Sequence, residues 1–337
     1  MSSESFLHLP EAERIAILTS DLVEPNLSPF ILEKDVWVCW ALDTLFSMPN
    51  RHHMAFKGGT SLSKIFNAIS RFSEDVDITI DHKSLDPNAD PFAQGLSGNA
   101  KKRISEALDQ RTNDYIANII APHFKEAFDN LHLEGAGNIQ VSNDILYIQY
   151  PSVLEDTQNY VQGSVKLEFG GKNAIVPNDE YVVTSILSKN FADITFPSAT
   201  VSVLSAERTF WEKATLMHAE CGRAAIRTQN RLSRHWYDLD QLAQSQIGQA
   251  AVTNKNLLAD VIRLKKHFYN SSTANYDECN SGGFKLIPNQ TNLPILENDY
   301  LEMTRAGMLY GVIPSFAEII SRLKTLENEI NSLYPHN

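Results

Sequence analysis

FKGGTSLSKIFNAISRFSEDVDITID, running from Phe56 to Asp81, is the stretch on which the reading of this chain turns. Gly58 and Gly59 let the backbone take positive φ and let a ligand approach closely, and Thr60 and Ser61 are suited to cap the helix expected over Ser61 to Ile69. Unpaired N–H groups at such a helix start form an anion site; the competing reading is a plain turn with an N-cap. The GxxxxGK[ST] spacing is missing, which excludes a P-loop. A strand follows over Val76 to Ile80. Residues two apart on a strand share a face, so Asp75 and Asp77 converge while Val76 and Ile78 turn to the core. Paired carboxylate oxygens suit hard Mg²⁺ ions in phosphoryl transfer, and a bound cation relieves the repulsion of two like charges. Two exposed aspartates at a strand end are the plainer alternative.

Upstream, Pro10 to Val23 and Phe30 to Phe46 carry helical periodicity and predict a pair of helices. Downstream, Asp86 to Lys102 is rich in Pro, Asn, Asp, Gly and Ser and predicts a loop, and residues 103 to 130 return to a helical pattern. Ile145 to Tyr150 and Ser164 to Phe169 read as strands, with a further one at Tyr181 to Val183 or Thr200 to Val203. From Ser205 helix signals dominate, including Glu207 to Ala219, Tyr237 to Ala243 and Phe316 to Leu333. Strands early and helices late predict an α+β fold: a catalytic domain over 1–204, then a mainly helical region over 205–337. Asn270 to Gly283 reads as an exposed loop, and no internal repeat is present.

With 337 residues, 43% of them hydrophobic, the chain can bury a sizeable core. Its longest apolar stretch, Val36 to Phe46, is interrupted by Asp43 and is too short to span a membrane, and MSSESFLHLPEAER has no signal-peptide pattern, so a cytoplasmic protein is expected. Cys39, Cys221 and Cys279 are distant from one another, which excludes a CxxC metal site and a disulfide framework. His218 and His235 have no partner at metal-ligand spacing. A net charge of -12 argues against a protein that coats DNA. Within that acidic chain Gly222 to His235 forms a basic island with Arg223, Arg227, Arg231 and Arg234, whose spacing would align them on any helix formed there. It is either a solvated face or a contact for RNA phosphates.

KGGTSLSKIFNAISRFSEDVDITI resembles the hallmark of the AbiEii/AbiGii toxin family, a branch of the nucleotidyltransferase superfamily. The resemblance extends to EKDVWVCWALDTLF (Glu33 to Phe46), VKLEF (Val165 to Phe169), FWEKATLMH (Phe210 to His218) and RHWYDLDQL (Arg234 to Leu242), in family order. It implies a nucleotidyltransferase-like mixed sheet with helices. It also implies that Asp75 and Asp77 bind Mg²⁺ while Gly58, Gly59, Thr60 and Ser61 hold an NTP. Glu168 would supply a third metal carboxylate from a neighbouring strand, where the superfamily often has Asp; a salt-bridge role for it stays open. The same resemblance places Lys213, as a phosphate contact, and Asp238 in the active site, with Arg71 and Lys57 as weaker candidates for a structural or phosphate-touching role.

A resemblance of this kind further implies a cognate antitoxin and an RNA acceptor, the tRNA 3′ end. Two other readings remain: a non-catalytic regulatory binding protein, against which intact Asp75, Asp77 and Lys213 argue, and a metal-dependent nuclease, which pyrophosphate release would separate from transfer.

Overall fold

The computed structural model describes residues 4–21, 27–88, 90–133, 137–154, 163–226, 231–271 and 273–335. Two compact units emerge: Met1–Ile65 with Phe72–Val203, and Phe66–Arg71 with Leu204–Asn337.

In the first unit a short ribbon pairs β1 (Glu4–Ser5) in parallel with β8 (Ile194–Thr195). The main sheet has seven strands: β2 (Met54–Lys57), β3 (Asp75–Ile80), β4 (Asn138–Ser142), β5 (Ile145–Gln149), β6 (Ser164–Gly170), β7 (Asn178–Thr184) and β9 (Ser198–Leu204). Their order is β4-β5-β6-β3-β2-β9-β7. β3 runs parallel to β6 and antiparallel to β2, and β2 runs parallel to β9, so the sheet is mixed as expected. Alternation along β3 and β6 buries Val76, Ile78, Ile80, Val165, Leu167 and Phe169 on one side. Both candidate later strands are real, as β7 and β9.

The helices of this unit are α1 (Glu11–Leu18), α2 (Pro29–Phe46), α3 (Gly58–Lys64), α4 (His82–Leu85), α5 (Gly98–Tyr115) and α6 (Ala121–Asp129), with a π-helical turn over Ile116–Ile120. α2 starts where Ser28 accepts from the Ile31 N–H and Pro29 takes the first helical position. Nearly all of α2 is buried, as its even apolar content requires. Trp37 stacks on Tyr150 at 5.2 Å, and Trp40 meets Phe124 and Phe128 of α6 edge-on. The charged run Glu33-Lys34-Asp35 is buried as well, and each member has a partner, without which burial of a charge would be costly. Glu33 accepts from the Val153 N–H at 2.8 Å, Lys34 bridges Glu74 at 2.8 Å, and Asp35 accepts from the Ile186 N–H at 2.8 Å and pairs with Lys64. The Lys34–Glu74 bridge thereby anchors the residue next to Asp75. The loop expected up to Lys102 ends sooner, because the Ser97 hydroxyl accepts from the Ala100 N–H and starts α5 at Gly98.

The second unit is mainly helical: α7 (Ala206–Cys221), α8 (Ser233–Ala243), α9 (Gln246–Thr253), α10 (Lys255–Phe268), α11 (Leu293–Arg305) and α12 (Phe316–Leu333). α7 is its core helix, with Phe210, Trp211, Ala214 and Met217 fully buried and the Trp211 indole N–H donating to the Ala251 carbonyl at 3.0 Å. α12 begins with a reciprocal capping box between Ser315 and Glu318. Its Arg322 forks onto the buried Asp240 with two 2.7 Å hydrogen bonds. The segment 66–71 belongs here through a bridge between Arg71 and Leu309 and through the Tyr310 N–H, which donates to the Ser70 carbonyl at 3.0 Å. Among the described residues no helix is long and apolar enough to cross a membrane.

Candidate active site

Opposite the apolar side of β3 and β6 lies a polar one. Asp75 and Asp77 alternate with Val76 and Ile78, and the parallel register sets Asp75 beside Lys166 and Asp77 beside Glu168. On the other flank β2 sets Lys57 beside Asp77. Five charged side chains from three adjacent strands thus share one face, all of them partly accessible. Lys166 is ion-paired with Glu168 two residues along the same strand. Burial works to lower the Lys166 pKa, but the hydrogen bond and charge of Glu168, with the charge of Asp75, outweigh it and raise the value.

The glycine turn presses against this face. Gly58 has φ +80°, and a Cβ placed there would stand 2.0 Å from Asp77 Oδ2, so only glycine admits both the backbone conformation and the carboxylate. The helix after the turn, α3, starts at Gly58 itself, earlier than expected, and ends at Lys64. Its N-cap, Lys57, makes no side-chain capping bond. Thr60 and Ser61 do not cap it either: the Thr60 hydroxyl donates to the carbonyls of Ser73 and Asp75, and the Ser61 hydroxyl to the Gly58 carbonyl at 2.9 Å. Both side chains are buried. Their contribution is therefore to fix the turn against β3, leaving the backbone as the part that can meet a ligand.

In the second unit Arg71, Lys213 and Asp238 form a buried cluster. Asp238, fully buried on α8, accepts from Arg71 Nε at 2.6 Å and Nη2 at 2.8 Å, and lies 2.8 Å from Lys213 Nζ on α7. Burial alone would raise the Asp238 pKa, but the charges of Arg71 and Lys213 and their hydrogen bonds hold it well below the carboxylate range. For Lys213 the balance falls the other way: burial lowers its pKa, and repulsion from Arg71 offsets part of the attraction of Asp238. Burial disfavours both charged forms; Asp238 meets two cations that outweigh it, whereas Lys213 has one anion set against burial and the cations Arg71 and Arg234. His235 Nδ1 is buried with no hydrogen-bond partner among the described residues, and burial together with Lys213 and Arg234 lowers the ring's pKa well below its usual value.

Asp75, Asp77, Glu168 and the Gly58–Ser61 turn are thus brought together within the first unit, and Lys213 and Asp238 within the second. Among the described residues no three His, Cys, Asp or Glu side chains gather as a ready-made metal cage. Mg²⁺ is ordinarily held by one or two carboxylates, with water and substrate phosphates completing the shell, and Asp75 and Asp77 fit that requirement. In the basic island, Arg227 lies outside the described residues; Arg223 pairs with Glu220 at 2.9 Å, and neither Arg223 nor Arg231 is helical, since α7 ends at Cys221 and α8 starts at Ser233. Sequence reasoning overlooked Lys166, although its two-residue spacing from Glu168 puts both on one face. It ranked Arg71 low, and no local signal foretold its fork onto Asp238, 167 residues away.

The family model described as nucleotidyl transferase AbiEii toxin, type IV TA system, matches residues 40–322. No curated protein matches the chain. Among solved structures the chain is similar to MenT4, a nucleotidyltransferase toxin from Mycobacterium tuberculosis H37Rv, with 16% identity, 96% of this chain and 90% of that chain covered, and a TM-score of 0.48. With the family model spanning most of its length, the chain belongs to the AbiEii family of nucleotidyltransferase toxins of type IV toxin-antitoxin systems.

Proposed function

We propose that the protein is a Mg²⁺-dependent enzyme that transfers a nucleotide from an NTP to a hydroxyl of an RNA acceptor, the 3′ end of tRNA. The observation that carries this reading is the convergence of Asp75 and Asp77 on one sheet face, with Gly58 in contact with Asp77. Asp75 and Asp77 hold the metal, and Glu168 joins them as a third carboxylate when Lys166 releases it. When bound, Mg²⁺ supplies a Lewis acid that withdraws charge from the phosphates. The Gly58–Ser61 backbone seats the triphosphate. A bond forms between the acceptor oxygen and the α-phosphorus, the bond to the β-phosphate oxygen breaks, pyrophosphate departs and the hydroxyl proton passes to solvent. Within the second unit Asp238 orients the Lys213 ammonium, a further candidate active-site group. Catalysis rests on positioning and charge neutralisation.

Membership of a type IV toxin family implies a cognate antitoxin and an NTP substrate. Both NTP and tRNA place the reaction in the cytoplasm, and the arginines of the island are assigned to the RNA backbone. The test is incubation of the protein with Mg²⁺, tRNA and each α-labelled NTP in turn. The expected result is label at the tRNA 3′ terminus with one pyrophosphate released per nucleotide. Nucleotide hydrolysis without incorporation, or cleavage of the tRNA, would overturn it.

A further inference from the structure

Lys166 and Lys57 are the two cations on the sheet face, and the transfer reaction above asks of Lys166 only that it release Glu168. Lys166 stands in register with Asp75, is ion-paired with Glu168, and keeps roughly a quarter of its side chain accessible, 27%, beside 38% for Glu168. A cation in that place lowers the repulsion among Asp75, Asp77 and Glu168, which is the service a metal ion would also perform. Two cations cannot both fully claim Glu168. An ammonium on a flexible four-carbon stem exchanges partners by rotating its own side chain, which a planar guanidinium does less readily.

We propose that Lys166 is an exchangeable phosphate contact: its ammonium holds Glu168 while the carboxylates carry no metal, and transfers to the NTP phosphates when metal takes the carboxylates. This rests on the assignment of the Asp75–Asp77 face to metal and nucleotide and deepens it by naming the residue that couples the two ligands. Metal bound to Glu168 frees Lys166 for phosphate, and phosphate bound to Lys166 frees Glu168 for metal. Each ligand therefore assists the other, as reciprocal linkage requires.

Binding alone tests this, with no turnover. Mn²⁺ binding is followed by the paramagnetic signal of the free ion, and binding of a non-hydrolysable ATP analogue by calorimetry, for the full chain and for Lys166→Gln, Lys166→Arg and Glu168→Gln. In wild type the analogue is expected to tighten Mn²⁺ binding and Mn²⁺ to tighten analogue binding by the same factor. Lys166→Gln should bind Mn²⁺ alone at least as tightly as wild type, bind the analogue about tenfold or more weakly, as loss of a charge-assisted hydrogen bond predicts, and lose most of the mutual tightening. Lys166→Arg should keep part of the analogue affinity, and Glu168→Gln should weaken Mn²⁺ while sparing the analogue measured without metal. Wild-type affinities and wild-type coupling in Lys166→Gln would overturn the proposal. So would equal loss of both ligands together with a lowered melting temperature, which marks a purely structural role. Failure of the underlying reading looks different: wild type itself then takes up no Mn²⁺, and the proposal falls with it.

Discussion

Two carboxylate sites in this molecule use the same residue type in opposite ways. Asp75 and Asp77 sit on a partly accessible strand face with a third acid, Glu168, in register beside Asp77. Asp238 is fully buried, with a guanidinium forked onto it and an ammonium against it. A carboxylate already neutralised by two cations has little to offer a third, whereas three acids facing two lysines, Lys57 and Lys166, still gain from a further cation. On the proposed reading the first site holds metal and the second orients Lys213. The contrast also says where stability and activity should part company.

The largest expected effect is on activity. Asp75→Ala should cost several kcal/mol of transition-state stabilisation, on the order of a thousandfold or more in transfer rate, with a denaturation midpoint close to wild type. A variant that transfers nucleotide normally in Mg²⁺ would break the contrast at its stronger end. At the buried site the balance inverts. Asp238→Ala leaves Arg71 and Lys213 confronting each other without their anion, which should destabilise the fold by about 3–5 kcal/mol in urea or guanidinium titrations. An unfolding curve that superimposes on wild type would show that the cluster is not held as described.

Gly58→Ala combines both outcomes, because the new methyl must strain a left-handed backbone and push Asp77 aside. A stability loss of about 2 kcal/mol is expected together with weakened Mn²⁺ binding; unchanged metal affinity would separate the turn from the carboxylates.

The pH response sharpens the contrast further. The folded-state pKa of Asp238 is depressed, so its stabilising contribution is present above the unfolded carboxylate pKa of about 3.9 and is lost as pH falls from there towards the folded value. The stability gap between wild type and Asp238→Asn should therefore be flat from neutral pH down to about 4 and narrow only in stronger acid. A gap that closes already between pH 7 and 5 would mean that Asp238 is not ionised within its cluster. The smallest effect concerns the acceptor. Replacing Arg223, Arg227 and Arg231 together by Gln should flatten the salt dependence of tRNA binding by a log-log slope of about 0.7 to 0.9 per lost phosphate contact, with the NTP requirement unchanged. Identical slopes would return the island to a solvated surface.

Features with a local cause could be read from the chain. The period-two alternation of β3 and β6 announces itself within a few residues. β2 does not, since Met54 to Phe56 are buried without alternation and the glycine turn follows at once. β4 is polar and mostly exposed, and becomes a strand only through pairing with β5. The same limit applies to the sites. Asp75 and Asp77 were legible because one strand places both, whereas the meeting of Arg71, Lys213 and Asp238 depends on three separate segments. Thr60 and Ser61 show a subtler failure: their types fit capping, but the nearby carbonyls of Ser73, Asp75 and Gly58 claim their hydroxyls.

The central claim, that metal held by Asp75 and Asp77 drives transfer, is tested most directly by titrating Mg²⁺ into chelator-stripped wild type and Asp77→Asn and measuring single-turnover incorporation of labelled nucleotide into tRNA at each concentration. The account predicts that wild type rises from no transfer to saturation, while Asp77→Asn stays at the baseline throughout. Transfer by stripped wild type before any Mg²⁺ is added, or an Asp77→Asn curve that overlays wild type, would contradict it.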